Sequence, residues 1–179
     1  MKIKHVIAHA RDREYMSGII RDQLRVKATA EVFTPTPLVQ EILDHLPDSQ
    51  FSDPTKTFLD PACGDGQFLS EVLIRKMENG STFEQALGTI YGVDLMPDNV
   101  KLCQDRLLCG QEHLRGIVEK NIVCADGLTY HYRFDGTDPK LTEQDLAWQA
   151  QGFEVSPKQI KAKKPPKVKP TPVPLYTFT

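Results

Sequence analysis

The chain has 179 residues, with 22 Lys and Arg against 24 Asp and Glu and a formal net charge of −2. That length suits one domain with an adequate core, and the balanced charge excludes a wholly basic or wholly acidic chain. No apolar stretch approaches the roughly 20 residues needed to span a bilayer and no signal-peptide core is visible, so no membrane association and a soluble, cytoplasmic protein are expected.

Residues 1–30 read as a helical segment with an excess of Arg and Lys. Within it Tyr15, Ile19, Ile20 and Leu24 recur at helical spacing, which predicts an amphipathic helix over residues 11–27. His5 and His9 make a poor metal pair, because nothing nearby completes a ligand set. Thr36 as N-cap and Pro37 at the first helical position predict a second helix, with Leu38, Val39, Ile42, Leu43 and Leu46 as its apolar face and an end before Pro47.

After a loop rich in Ser, Asp and Pro, a short apolar strand over residues 57–59 enters the run Asp60-Pro-Ala-Cys-Gly-Asp-Gly. A helix over 67–77 follows, with Phe68, Leu69, Val72 and Leu73 inward and Asn79-Gly80 as its stop. Residues 83–87 read as a short helix or turn. A second strand over 89–95 leads through Pro97 to a helix bearing Val100, Leu102, Cys103, Leu107 and Leu108, stopped near Gly110. A third strand covers about 121–124. Cys63, Cys103, Cys109 and Cys124 lack C-x-x-C spacing and read as reduced thiols.

Beyond Leu128 the alternation fades. Thr142 with Asp145 forms a capping-box pattern ahead of a short helix carrying Leu146 and Trp148. Lys161 to Pro174 is a Lys/Pro segment that reads as an extended linker, and its lysines suit either a phosphate backbone or simple solvation. The last residues, 173–179, are β-prone.

The β-α-β-α-β order predicts an α/β fold with a parallel sheet and right-handed crossovers, whose ligands sit at the carboxyl ends of the strands. Asp60, Asp94 and Asp126 all fall at those ends. Gly64 and Gly66 let backbone amides approach a ligand closely. Asp60 and Asp65 beside that turn would repel a pyrophosphate, so a ligand with ammonium or hydroxyl donors fits better.

These segments resemble the class I adenosylmethionine-dependent methyltransferases, and within them the adenine-specific DNA methyltransferases. The resemblance rests on Phe33-Thr34-Pro35, the run from Asp60 to Gly66, Ile90 to Leu95, and Asn121 to Leu128, in the family's order. It implies a Rossmann-like class I methyltransferase fold, here with a truncated parallel sheet flanked by helices and preceded by an N-terminal helical segment. Residues 31–152 would form the domain that binds S-adenosyl-L-methionine, and 153–179 a Lys/Pro-rich tail ending in an edge strand.

Carried over, Phe33, Thr34 and Pro35 would contact the methionine moiety, and Asp60, Ala62, Gly64 and Gly66 would surround its amino and carboxylate groups. Asp94 would accept the ribose hydroxyls with Leu95 or Met96 against the adenine face. Asp126, Gly127 and Leu128 would address the adenine edge. The family also uses an Asn/Asp-Pro-Pro-aromatic tetrapeptide to aim the target amine and stack the flipped base. No such string occurs here, so the catalytic residues stay unassigned. The resemblance therefore implies a DNA (adenine) methyltransferase homologue that holds the cofactor but is incomplete for catalysis alone, with a second chain as one way to complete it. The alternative is a non-catalytic module that binds adenosylmethionine or DNA in an accessory role.

Overall fold

The computed structural model describes residues 1–12 and 34–136. The predicted helix over 11–27, the helix after Thr142, the Lys/Pro segment and the terminal β-prone stretch lie outside the described residues, apart from Arg11 and Asp12. Those two belong to α1, described over Ile3–Asp12, which lies within the expected N-terminal helical segment but starts ahead of the helix placed at 11–27. It buries Val6 and Ala10.

Helix α2 spans Thr36–Asp44, followed by a short α3 over Ser49–Ser52. Strand β1, Phe58–Asp60, leads to α4, Gln67–Glu78, and α5, Phe83–Gly88. Strand β2, Ile90–Asp94, leads to α6, Pro97–Leu108. A 3-10 turn, Glu112–Leu114, and α7, Arg115–Asn121, then precede β3, Ile122–Cys124. The sequence reading had no element between Gly110 and residue 121.

Among the described residues the sheet has three strands in the order β1-β2-β3, paired in parallel with Phe58 opposite Ile90 and Gly92 opposite Ile122. Helices cover one face. There Phe58, Ile90 and Ile122 pack with Leu69, Leu73, Cys103, Leu107 and Val118 in the main core. Val93, Val123 and Tyr91 point the other way, the alternation expected of strands, and meet Tyr130, Tyr132 and Phe134 from the segment after β3. The Tyr91 and Phe134 rings lie 4.8 Å apart.

Two sequence expectations for α2 are corrected. Thr36 is not the cap: the helix begins one residue earlier than expected, with Pro35 as N-cap and no side-chain capping bond, and the Thr36 hydroxyl accepts from the Gln67 amide instead. The apolar face is also narrower. Val39 and Leu43 are buried, while Leu38, Ile42 and Leu46 remain 45%, 43% and 39% exposed. The helix is held to α4 along a thin stripe, reinforced by Arg75, which donates to the Gln40 carbonyl at 2.8 Å and to Asp44 at 2.6 Å.

Polar ties fix the outer helices around α4. Arg11 of α1 donates in a fork to both carboxylate oxygens of the buried Glu71, at 2.8 and 2.7 Å, and Gln40 of α2 adds a third donor at 3.2 Å. A planar guanidinium suits such a bidentate partner. Lys76 is fully buried; its ammonium donates to the Lys56 and Asp53 carbonyls at 2.6 and 3.3 Å and lies 5.5 Å from the centre of the Phe58 ring. These contacts anchor the loop that delivers β1. Thr82 and Gln85 start α5 with a reciprocal capping box, which explains how six residues hold a helix.

Candidate functional site

β1 ends on Asp60, β2 ends on Asp94, and Asp126 stands two residues past β3, so a parallel sheet delivers all three carboxylates to its carboxyl edge. The turn after β1 needs its glycines. Gly64 and Gly66 have φ of 53° and 86°, the left-handed region that β-carbon-bearing residues avoid. At Gly66 a Cβ would also lie 2.7 Å from the Cys103 Sγ of α6. Gly66 is the N-cap of α4, which therefore begins within the turn and turns its first N–H groups toward it.

Backbone hydrogen bonds lock the three loops to one another. The Cys63 N–H donates to the Val93 carbonyl at 2.9 Å, and the Gly64 N–H donates to Asp94 Oδ2 at 3.0 Å. The Ala125 N–H donates to the Asp94 carbonyl at 3.0 Å. Gly127 sits so close to the first turn that a Cβ there would come within 2.5 Å of the Pro61 carbonyl oxygen. The Tyr132 hydroxyl donates to the Gly127 carbonyl and holds that approach from the other side.

The carboxylates differ in how far the protein itself uses them. Asp60 accepts the Ala62 N–H at 3.0 Å through Oδ1; among the described residues its other oxygen has no hydrogen-bond partner. Burial pushes its pKa up, against the smaller opposite pull of that N–H. Asp126 accepts the Leu128 N–H at 2.9 Å, a local turn bond. Asp94 is much more committed: besides Gly64, its Oδ1 accepts from the Met96 N–H at 2.8 Å and the Asn99 side-chain amide at 3.3 Å.

Asp65 departs from expectation. It is buried, and its Oδ2 accepts from the Arg106 guanidinium at 3.1 Å, so its charge is compensated inside the protein instead of facing a ligand. The argument against a pyrophosphate therefore rests on Asp60, not on both acids. Thr34 is half-buried and Pro35 exposed, and the bond from Gln67 to Thr36 carries their segment to the first turn of α4. Phe33 lies outside the described residues. Ala62 is exposed, Leu95 half-buried and Met96 buried, while Leu128 is 95% exposed at the mouth.

Two of the thiols, Cys63 and Cys124, are held toward the protonated form. The Cys63 thiol is raised well above its usual range by its hydrogen bond with Cys103, by burial and by nearby carboxylates. Burial and the charges of Asp94 and Asp98 push Cys124 up to about 12. Among the described residues no group of His, Cys, Asp and Glu is arranged to hold a metal ion. No helix among them is long and apolar enough to cross a membrane. Asn99, Arg106, Gln67 and Tyr132 also support the site: Arg106 and Gln67 act on partners 41 and 31 residues away, which no local sequence signal announces, while Asn99 and Tyr132 each act on a residue five positions back.

Three acids on the carboxyl edge of a parallel sheet, with a left-handed glycine turn between the first strand and its helix, define a Rossmann-like α/β protein of the methyltransferase type. The family model for N-6 DNA methylases matches residues 18–145, more than half of the chain. The chain belongs to that family, and its function is related to adenine methylation of DNA. No curated protein and no solved structure matches it.

Proposed function

We propose that the site binds S-adenosyl-L-methionine and serves methylation of DNA adenine, with the groups that receive and orient the target base supplied from outside these 179 residues. The observation that carries the reading is Asp60: a half-buried carboxylate at the start of the glycine turn, with one oxygen uncommitted among the described residues, suits an ammonium donor. Thr34 and Pro35 would flank the methionine end. Asp94 would take the ribose hydroxyls, Leu95 and the exposed Leu128 would offer apolar contact to the adenine, and Asp126 would accept from its amino group. Every acid then meets a donor, and the cofactor's positive charge faces a carboxylate-lined mouth.

The cofactor would supply an electrophilic methyl group on its sulfonium. This chain's own residues would bind and orient it. Transfer to an exocyclic amine further requires an acceptor that aims the nitrogen lone pair and a surface that stacks the extruded base. The sequence holds no Asn/Asp-Pro-Pro-aromatic string for that task. A second chain carrying it would complete the enzyme.

Calorimetric titration with adenosylmethionine tests the reading. Saturable heat is expected from the folded wild type, and none would refute cofactor binding. The pH dependence is a sharper check. Because the folded-state pKa of Asp60 is raised, its contribution to stability is full below the unfolded value of 3.8 and is lost as pH rises through the folded value. The ionised form is thus held at a cost that a ligand ammonium offsets. Affinity should rise with pH as Asp60 ionises and then level off, with proton release on binding in the rising part. Asp60→Asn should bind weakly and lose this dependence; an identical profile in the variant would remove Asp60 from the site. Labelled-methyl transfer to unmethylated DNA should be absent for the chain alone.

A further inference from the structure

Arg106, in the last turn of α6, is 3% exposed and reaches two separate parts of the molecule at once. Its Nη1 donates to Asp65 Oδ2 at 3.1 Å, inside the turn between β1 and α4. Its Nε and Nη2 donate to the Ala10 carbonyl at 3.2 and 2.9 Å. Ala10 lies in α1, so the guanidinium grips the backbone of that helix. One rigid guanidinium therefore holds the backbone of α1 and neutralises the buried acid of the glycine turn.

We infer that Arg106 is a positioning residue through which α1 fixes the conformation of the Pro61–Gly66 turn, so that docking of α1 and occupancy of the cofactor site are coupled. The occupancy half rests on the proposed adenosylmethionine reading; the mechanical half does not. Asp65 lies between Gly64, whose N–H holds Asp94, and Gly66, which starts α4. A shift of its carboxylate pulls on both neighbours, because Gly64 is tied to Asp94 and Gly66 lies close against Cys103 of α6. By linkage, a ligand that favours the ordered turn must also favour docked α1.

Hydrogen exchange on the full chain tests the tie without any ligand. Arg106→Lys keeps a buried cation but loses the fork that reaches both partners. Faster exchange is expected in two separate places, residues 2–12 and the amides of Cys63, Gly64 and Gly66, each at least about tenfold if one charge-assisted bond is lost. Arg11→Met serves as the control, since it frees α1 from Glu71 and leaves the Arg106 bridge in place; it should speed exchange in residues 2–12 clearly more than in the turn, which keeps its own bond to Arg106. If Arg106→Lys loosens α1 alone, or if Arg11→Met loosens the turn equally, the inference is overturned. Should Arg106→Lys fail to fold, Asp65→Asn weakens the same bridge from the turn side and must give the same two-part pattern.

The ligand arm uses adenosylmethionine. Wild type should show slower exchange in residues 2–12 at saturation, and Arg106→Lys should bind about tenfold more weakly, the equivalent of one such hydrogen bond, without that protection. Wild type that binds but leaves α1 exchange unchanged would overturn the coupling. Wild type that does not bind would overturn the cofactor reading, while the two-part exchange pattern still decides the brace.

Discussion

Gly127→Ala is expected to separate the first and third loops and to cost more than its single methyl suggests. The new Cβ would lie 2.5 Å from the Pro61 carbonyl oxygen, and that atom belongs to backbone, which cannot rotate out of the way as a side-chain end does. The Tyr132 hydroxyl, bonded to the Gly127 carbonyl, resists retreat on the other side. No left-handed dihedral is involved at this position, so the effect is steric alone. Overpacking of this kind costs about 2 kcal/mol, which for a chain of this size lowers the melting temperature by about 4–8 °C. Adenosylmethionine affinity should fall with it, since Asp126 and Leu128 move with the turn. A melting temperature within 1 °C of wild type, read by circular dichroism as about 0.3 kcal/mol or less, would show that the loops do not meet as described.

Asp94→Asn should have the larger effect on binding. Asp94 accepts from the Gly64 and Met96 N–H groups through different oxygens, and Asn99 adds a third donor. An asparagine keeps the shape but replaces one oxygen with an amide that is itself a donor. Whichever way it turns, a backbone N–H then faces another N–H. Hydrogen bonds to charged groups are worth about 1.5–3 kcal/mol each, so a stability loss of about 3 kcal/mol is expected. Ligand affinity should drop by about a hundredfold or more, equivalent to about 2.7 kcal/mol, because the ribose acceptor and the turn conformation are lost together. Titration well below the melting temperature separates this from unfolding. Asn99→Ala, which leaves both backbone N–H donors to Asp94 in place, should be milder in both respects. Unchanged affinity in Asp94→Asn would contradict the ribose assignment.

Much of this site was legible because its chemistry is local. A strand that ends in Asp and runs into Gly64 and Gly66 needs no knowledge of distant residues, and the same holds for Asp94 before Pro97. What escaped the sequence depends on partners far along the chain. Asp65 looked like a second ligand-facing acid because nothing near it in sequence announces Arg106, which lies 41 residues away. Residues 1–30 read as helical, but the start of α1 at Ile3 did not, because it has only Val6 and Ala10 as fully buried apolar residues; the Arg11–Glu71 ion pair and the Arg106 bonds to the Ala10 carbonyl help hold it. In α2 the opposite happened: five apolar residues suggested a broad face, but α4 offers room for two. Helix α7 is seven residues long, too short for helical periodicity to stand out.

The backbone bonds that join the three loops set the thermodynamics of whatever binds there. Cys63 is tied to Val93, Gly64 to Asp94 and Ala125 to Asp94, so the turn, the ribose acid and the third loop are ordered by folding itself. Their conformational entropy is already surrendered before a ligand arrives, and little remains to be lost on association. Binding at such a frame should proceed in a single concentration-dependent kinetic phase, with no slow rearrangement following it.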